Sequence, residues 1–189
     1  MLLFAVLLMV ILLSGLVQGR GRLQSLADLP VRHLWAMPVA LLLQLPLMRS
    51  PATTESELFV PRLLFGLSYL LLGYLLWTNR RLPGIPWLAT GVFFNGLVIV
   101  VNGGWMPIAP QTIAALGDGS WLVGDHHGAS KDVVMPVGST NLWFLSDIFV
   151  IPKPFPWPTA FSIGDIFIVA GVAHFAWHNP AKFNNTLQQ

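Results

Sequence analysis

Three groups of side chains in this sequence have the types and spacing for chemistry. The first is Gly124-Asp125-His126-His127-Gly128, which sets a carboxylate beside two imidazoles, and both groups ligate divalent metals. Adjacent side chains rarely share one tetrahedral ion, so Asp132 or Asp147 would have to complete the set. No HExxH, GxSxG or Walker loop accompanies them. Zero cysteines remove disulfides, thiolate metal sites and cysteine nucleophiles together. A solvated loop is the expectation here, with Asp125, His126 and His127 as the metal candidates and no cofactor expected.

The second group is polar residues inside apolar stretches, where an unpartnered polar group costs several kcal/mol. Gly91, Asn95 and Asn102 recur at helical spacing, as do Gly164, Gly171, His174 and His178, so each set shares one helix face. Small residues on a face let two backbones approach closely, and amides then bond across the contact. Packing through glycine faces with Asn95 as glue is the expected role, against a polar lining for a substrate path. Gln44, Asn95 and His174 are the intramembrane polar candidates. Gln44 lies between Pro38 and Pro46, where a broken helix could free carbonyls for an ion. His33 and His174 fall at one expected depth, which makes a haem pair conceivable, but no haem motif surrounds either, and a packing role is expected.

The third group gathers at one side of the chain: Asn102, Asp147, Ser162 and Asp165. Ser162 and Asp165 have capping-box spacing, in which the hydroxyl accepts from the third helical N–H and the carboxylate reaches back. An acid there also suits the helix dipole. If these four converge, they form a polar cap that either closes the fold or binds a ligand.

These residues must be positioned by elements of an unusual composition. Of 189 residues, 54% are hydrophobic and 10% charged, and the mean hydropathy is +0.67. A soluble domain averages about 25% charged, so the composition predicts an all-α integral membrane protein forming one polytopic domain over residues 1–189. Spanning helices need roughly 20 apolar residues. Five segments approach this: Met1–Gly19, Leu34–Met48, Leu58–Trp77, Ile85–Val101 and Ala160–Trp177. The first lacks the basic start and cleavage site of a leader, so it is expected to remain as a span.

Arg20, Arg22, Arg32, Arg80, Arg81 and Lys182 fall on one side of these spans. One acid, Asp28, goes with them, while the other side carries Arg49, Arg62, Lys131 and Lys153 against Glu55, Glu57, Asp118, Asp125, Asp132, Asp147 and Asp165. The positive-inside rule then places the N-terminus outside and the C-terminus in the cytoplasm. Trp35, Trp77, Trp87 and Trp177 mark the inner ends, and Trp105 and Trp157 the outer ends, as an aromatic belt would. The long outer loop, Gly103–Thr159, is expected to carry short elements. These are a helical turn or two at Pro110–Leu116 stopped by Gly117, an interfacial helix within Asn141–Val150, and a polyproline-like approach through Pro152, Pro154, Pro156 and Pro158.

Several of these runs resemble a known family. Asn102-Gly103-Gly104-Trp105-Met106-Pro107, Lys131-Asp132-Val133-Val134-Met135-Pro136, Thr140-Asn141-Leu142-Trp143-Phe144-Leu145-Ser146-Asp147-Ile148 and Phe161-Ser162-Ile163-Gly164-Asp165 are similar to the signature of a family of small bacterial membrane proteins catalogued only as a domain of unknown function. The sequence departs at Asp132, where a His usually follows Lys, and at Ser146, where a Gly usually precedes Asp. The resemblance implies five spans, a motif-rich outer loop and residence in the bacterial inner membrane. It implies no activity, substrate or cofactor.

Three functions are compatible with these features. The leading one is a non-enzymatic accessory subunit or scaffold, with the lipid bilayer, other membrane subunits or a second copy as partners and no nucleic acid. The second is a small transporter or permease using Gln44, Asn95, Asn102 and Asp165 as a polar path. The third is a membrane enzyme with Asp125, His126, His127 and Asp147 as a metal or acid–base cluster.

Overall fold

The computed structural model describes residues 31–49, 55–117, 122–125 and 132–178. Among the described residues there are five α-helices: α1 Ala36–Arg49, α2 Glu55–Thr78, α3 Ile85–Val101, α4 Pro110–Leu116 and α5 Ile163–Trp177. Four three-residue strands separate α3 from α5: β1 Met106–Ile108, β2 Asp132–Val134, β3 Phe149–Ile151 and β4 Thr159–Phe161. The expected segment Met1–Gly19, together with His126, His127, Lys131 and Lys182, lies outside the described residues.

The helices pack as two antiparallel pairs, α1 against α2 and α3 against α5, with a lesser contact between α2 and α3. The α1–α2 pair closes at the end where Arg32 precedes α1 and Asn79 follows α2. The Asn79 side chain accepts from the Arg32 N–H at 2.8 Å and donates to the Arg32 carbonyl at 2.9 Å. One side-chain amide thus satisfies both main-chain groups of one residue, as a sheet neighbour would. The α3–α5 pair closes through glycine. Gly84 opens α3 at φ 81°, and a Cβ placed there would sit 2.2 Å from the Gly171 carbonyl. A residue with a side chain would be excluded twice, by backbone conformation and by the neighbouring helix.

The main core lies at the opposite end of the molecule. Leu47, Leu58, Phe65, Val98, Ile99, Trp105, Met106, Val133 and Leu145 bring together the end of α1, the start of α2, the end of α3 and the loop. A second cluster, Ile108, Ile113, Leu116 and Val134, seats α4 against the strands. β1 pairs in parallel with β2, Met106 opposite Asp132. β3 pairs antiparallel with β4, and the rings of Phe149 and Phe161 stack across that ladder at 5.3 Å.

Several expectations are met and several are corrected. Ile85–Val101 is a helix over its expected limits, and Pro110–Leu116 is a short helix ended by Gly117 at φ 81°. The interfacial helix within Asn141–Val150 is replaced by a 3-10 turn, Trp143–Leu145, running into β3. The apolar character of that segment comes from its part in the core and the β3–β4 ladder. The proline segment turns between β3 and β4 and is not extended. Trp105 is 8% exposed within the core, so it fills space where an aromatic belt was expected. Pro46 leaves α1 unbroken over its 14 residues.

The lengths alter the span count. Only Ser56–Thr78 is long and apolar enough to cross a membrane among the described residues. Ala36–Leu47, Ile85–Val101 and Ile163–Trp177 are shorter apolar helices. Five spanning helices are therefore not supported. The physical reason is local: residues 32–35 form turns ahead of α1, and Ala160 and Phe161 belong to a strand, so α1 is left with 14 residues and α5 with 15, short of the roughly 20 that a span needs.

Candidate functional site

The functional candidates meet where α3 packs on α5. Ser162 adopts an extended conformation as the N-cap of α5, and its Oγ accepts from the Asp165 N–H at 3.1 Å. Asp165 Oδ2 accepts from the Ser162 N–H at 3.0 Å, completing the capping box. Asn95 on α3 joins this pair from across the interface. Its Nδ2 donates to Asp165 Oδ1 at 2.9 Å, and its Oδ1 accepts from Ser162 Oγ at 2.9 Å. Asn95 and Ser162 are buried. Every oxygen of the three side chains therefore has a partner, and two of the four bonds cross between α3 and the start of α5.

Glycine allows this approach. A Cβ at Gly164 would lie 1.9 Å from Asn95 Oδ1, and one at Gly91 would lie 2.4 Å from the Gly164 carbonyl. The backbones touch here as small-residue helix interfaces do.

Asn102 forms a second station at the end of α3. Its Nδ2 donates to the Val98 carbonyl at 2.7 Å and to the Asn141 carbonyl at 2.9 Å, and its Oδ1 accepts from the Asn141 N–H at 2.9 Å. Asn141 returns a bond from its own Nδ2 to the Val101 carbonyl at 3.1 Å. Immediately after it, Leu142 sits at φ 52°, a conformation costing a bulky residue about 1–2 kcal/mol. The Asn102–Asn141 bonds hold the chain in that turn. Asn102→Ala is expected to cost about 1–3 kcal/mol through lost and orphaned bonds. Chymotryptic cleavage of the loop after the exposed Trp143 or Phe144 should then be about tenfold faster, and a rate equal to that of the unaltered protein would remove this role.

Asp147 lies just after the Trp143–Leu145 turn and is buried, and its N–H donates to the Pro107 carbonyl at 3.3 Å. The expected cap of Asn102, Asp147, Ser162 and Asp165 is thus distributed. Ser162 and Asp165 bond each other and recruit Asn95, while Asn102 and Asp147 are tied to separate parts of the loop.

The remaining candidates stand elsewhere. Gln44 is half-buried on α1. His174 offers its carbonyl to the His178 N–H at 3.0 Å, and the two rings lie 3.9 Å apart. His33 places its Nε2 3.0 Å from the Tyr74 hydroxyl, so the two histidines of the conceivable haem pair have different ring partners. Asp125 Oδ2 accepts from the Leu122 N–H at 2.8 Å and closes a local turn. Among the described residues no three His, Asp or Glu side chains gather as a metal site would require.

Reasoning from the sequence missed Asn79 and Asn141. Both side chains bond main chain far away in sequence, at separations of 47 residues for Asn79 and 40 for Asn141, and neither lies on a patterned helix face that would have flagged it.

A model of the family of unknown function DUF5317 matches residues 28–177. The chain belongs to this family. The matched region contains all four helices of the two pairs, the strands, and both polar stations. The chain is also similar to an uncharacterized protein from Thermotoga maritima, 30% identical over 121 residues that make up 63% of this chain and 62% of that protein. The alignment thus spans somewhat under two thirds of the relative's length. No solved structure matches the chain at a significant level. Family membership agrees with the resemblance carried by the motifs between Asn95 and Gly171, and brings no assigned activity.

Proposed function

We propose that this DUF5317 member is a multi-pass protein of the bacterial inner membrane, acting as a non-enzymatic subunit or scaffold of a larger membrane assembly. The observation that carries the reading is the contrast between the outward faces of its helices and their contacts. Leu42, Leu63, Leu70, Phe93 and Val100 are more than half exposed, on three different helices. Soluble monomers rarely expose contiguous apolar patches beyond a few hundred Å², whereas hydrocarbon welcomes them. Ser56–Thr78 is only 22% buried over its apolar window and lies mid-chain, unlike a soluble core helix or a leader.

The short helices are compatible with crossing. α3, of 17 residues, is roughly 25 Å long at 1.5 Å per residue, and modest bilayer thinning accommodates such a mismatch. Arg32, Arg80 and Arg81 at one end support an orientation with that end in the cytoplasm. Exposed Trp35, Trp77, Trp87 and Trp177 suit the interface at the same level.

The polar residues favour scaffold over transporter. Asn95, Asn102 and Asp165 direct their bonds at other protein groups, and neither they nor Gln44 lines the groove between α2 and α3. A path for a polar substrate would need them facing one wet cavity. Carbonate extraction followed by blue-native electrophoresis of gently solubilised membranes tests the reading. The protein should stay with the membrane and migrate well above its 20.8 kDa protomer mass. Migration only as a protomer would remove the assembly role, and release by carbonate would remove the membrane placement.

A further inference from the structure

The lesser contact between the two helix pairs leaves an open groove of about 430 Å³ between α2 and α3. Its floor forms where the Tyr69 ring lies on Gly96, with Cε1 2.6 Å from where a Cβ would stand. Gly73, Phe93, Leu97 and Val100 make apolar walls, and Trp77 and Arg80 stand at the end where α2 terminates. Arg80 is the one charged side chain among the described lining residues. Its guanidinium rests over the Trp77 ring at 4.5 Å and donates through Nη1 to the Trp77 carbonyl at 2.9 Å. The cation is thus held in place by a ring face and a carbonyl, and Arg81 adds a second positive charge beside it.

The geometry points to a binding site for one acyl chain of an anionic glycerophospholipid, with the headgroup phosphate on Arg80. This rests on the membrane placement proposed above and goes beyond it by naming a ligand. Three features carry it. The walls are apolar, so they suit hydrocarbon and no polar solute. The lining of α3 runs from Ala89 to Val100, roughly 16 Å at 1.5 Å per residue, about half of a 30 Å hydrocarbon core and so the depth of one leaflet. The positive charge stands at one end only, where a planar guanidinium fork matches a phosphate.

Gly73 supplies the test, because a Cβ built there meets nothing within 4 Å. Gly73→Leu puts a side chain into the groove from an unobstructed Cβ and replaces a poor helix former with a good one. The protein, purified in mild detergent, is titrated with phosphatidylglycerol or phosphatidylcholine and examined by native mass spectrometry. The unaltered protein should retain one phosphatidylglycerol at concentrations where phosphatidylcholine is lost. Gly73→Leu should weaken that retention about tenfold or more while melting no lower. Arg80→Gln should keep lipid binding but bring the two lipids to parity.

Equal retention by Gly73→Leu, or no preference between the lipids in the unaltered protein, overturns the site. So does a dimer that forms at the expense of lipid and disappears in Gly73→Leu, which would make a second copy the occupant. Disulfide trapping of Gly73→Cys by single cysteines placed along residues 1–19 would make that segment the occupant, and overturns it equally. Carbonate extraction separates the two failures. A chain that stays in the membrane without retaining lipid loses only this inference, and a chain released from the membrane loses the placement as well.

Discussion

Gly164→Ala is expected to force α3 and α5 apart and to give the largest fall in melting temperature of any single change at this contact. The added methyl would stand 1.9 Å from Asn95 Oδ1 and 2.9 Å from the Gly91 carbonyl. The second is backbone, and the first is an amide fixed by two bonds, so neither can yield cheaply. Overpacking of this kind costs about 1–3 kcal/mol, and each buried polar group left unpaired adds about 1–3 kcal/mol. The sum, on the order of 3 kcal/mol or more, is a large fraction of the stability of a small domain. Gly73→Ala is the matched control. It should be neutral or stabilising by about 0.5–1 kcal/mol, because nothing faces it and alanine favours the helix. Thermal melting followed by tryptophan fluorescence in detergent compares the two. Equal melting temperatures would mean that the glycine contact does not hold the pair.

Ser162→Ala should have the second largest effect. The hydroxyl caps α5 by accepting from Asp165, and it donates to Asn95 across the helix contact. Its loss removes an N-cap worth about 1 kcal/mol and orphans Asn95 Oδ1 at about 1–3 kcal/mol. Asp165→Asn keeps the shape but only one acceptor oxygen, so its amide NH2 must face either the Asn95 amide or the Ser162 N–H, both donors. It should cost about 1–3 kcal/mol for that lost bond, beside a helix-dipole term of about 0.3–1 kcal/mol. A double-mutant cycle of Ser162→Ala with Asn95→Ala should give a coupling of about 0.5–3 kcal/mol. Strict additivity would show that the two side chains act separately, and the account of a closed three-residue network would fall.

The comparison of Gly164 with Gly73 also marks how far the sequence could be read. Gly66 and Gly73 have the same kind of spacing as Gly164 and Gly171, yet the first two face open space and the second two touch backbone. Periodicity assigns a residue to a face but does not say which helix, lipid or groove that face meets. The capping box at Ser162 and Asp165 was legible because it is local, within four residues. Asn95 was legible as glue, but its partner lies 70 residues away along the chain, and no pattern in one sequence carries that pairing. The three-residue strands escaped notice for a different reason. An element that short has no period to detect, so Asn141–Val150 resembled an apolar helix.

The charge pattern fared differently. Charge speaks to orientation and not to helix limits: Arg32 and Arg80 stand at the end of the α1–α2 pair that Asn79 closes, while Arg49 ends α1 at the other. Apolar composition placed two helix starts too early, because turns and strand pairing compete for residues at Arg32–Trp35 and Thr159–Phe161, whereas Ile85–Val101 kept its limits and Leu58–Trp77 lengthened to Glu55–Thr78.

Membrane embedding of the apolar faces is the claim on which the rest depends, and thiol labelling in intact membranes tests it most directly. The chain has no cysteine, so single cysteines report without background. Leu70 on α2 and Leu122 in the loop are each 72% exposed when only protein is considered, so any difference between them must come from the surroundings. Leu122→Cys should react rapidly with a water-soluble maleimide in opened membranes, whereas Leu70→Cys should stay unlabelled until detergent is added. Equal labelling of both before detergent would place the α2 face in water and contradict the account.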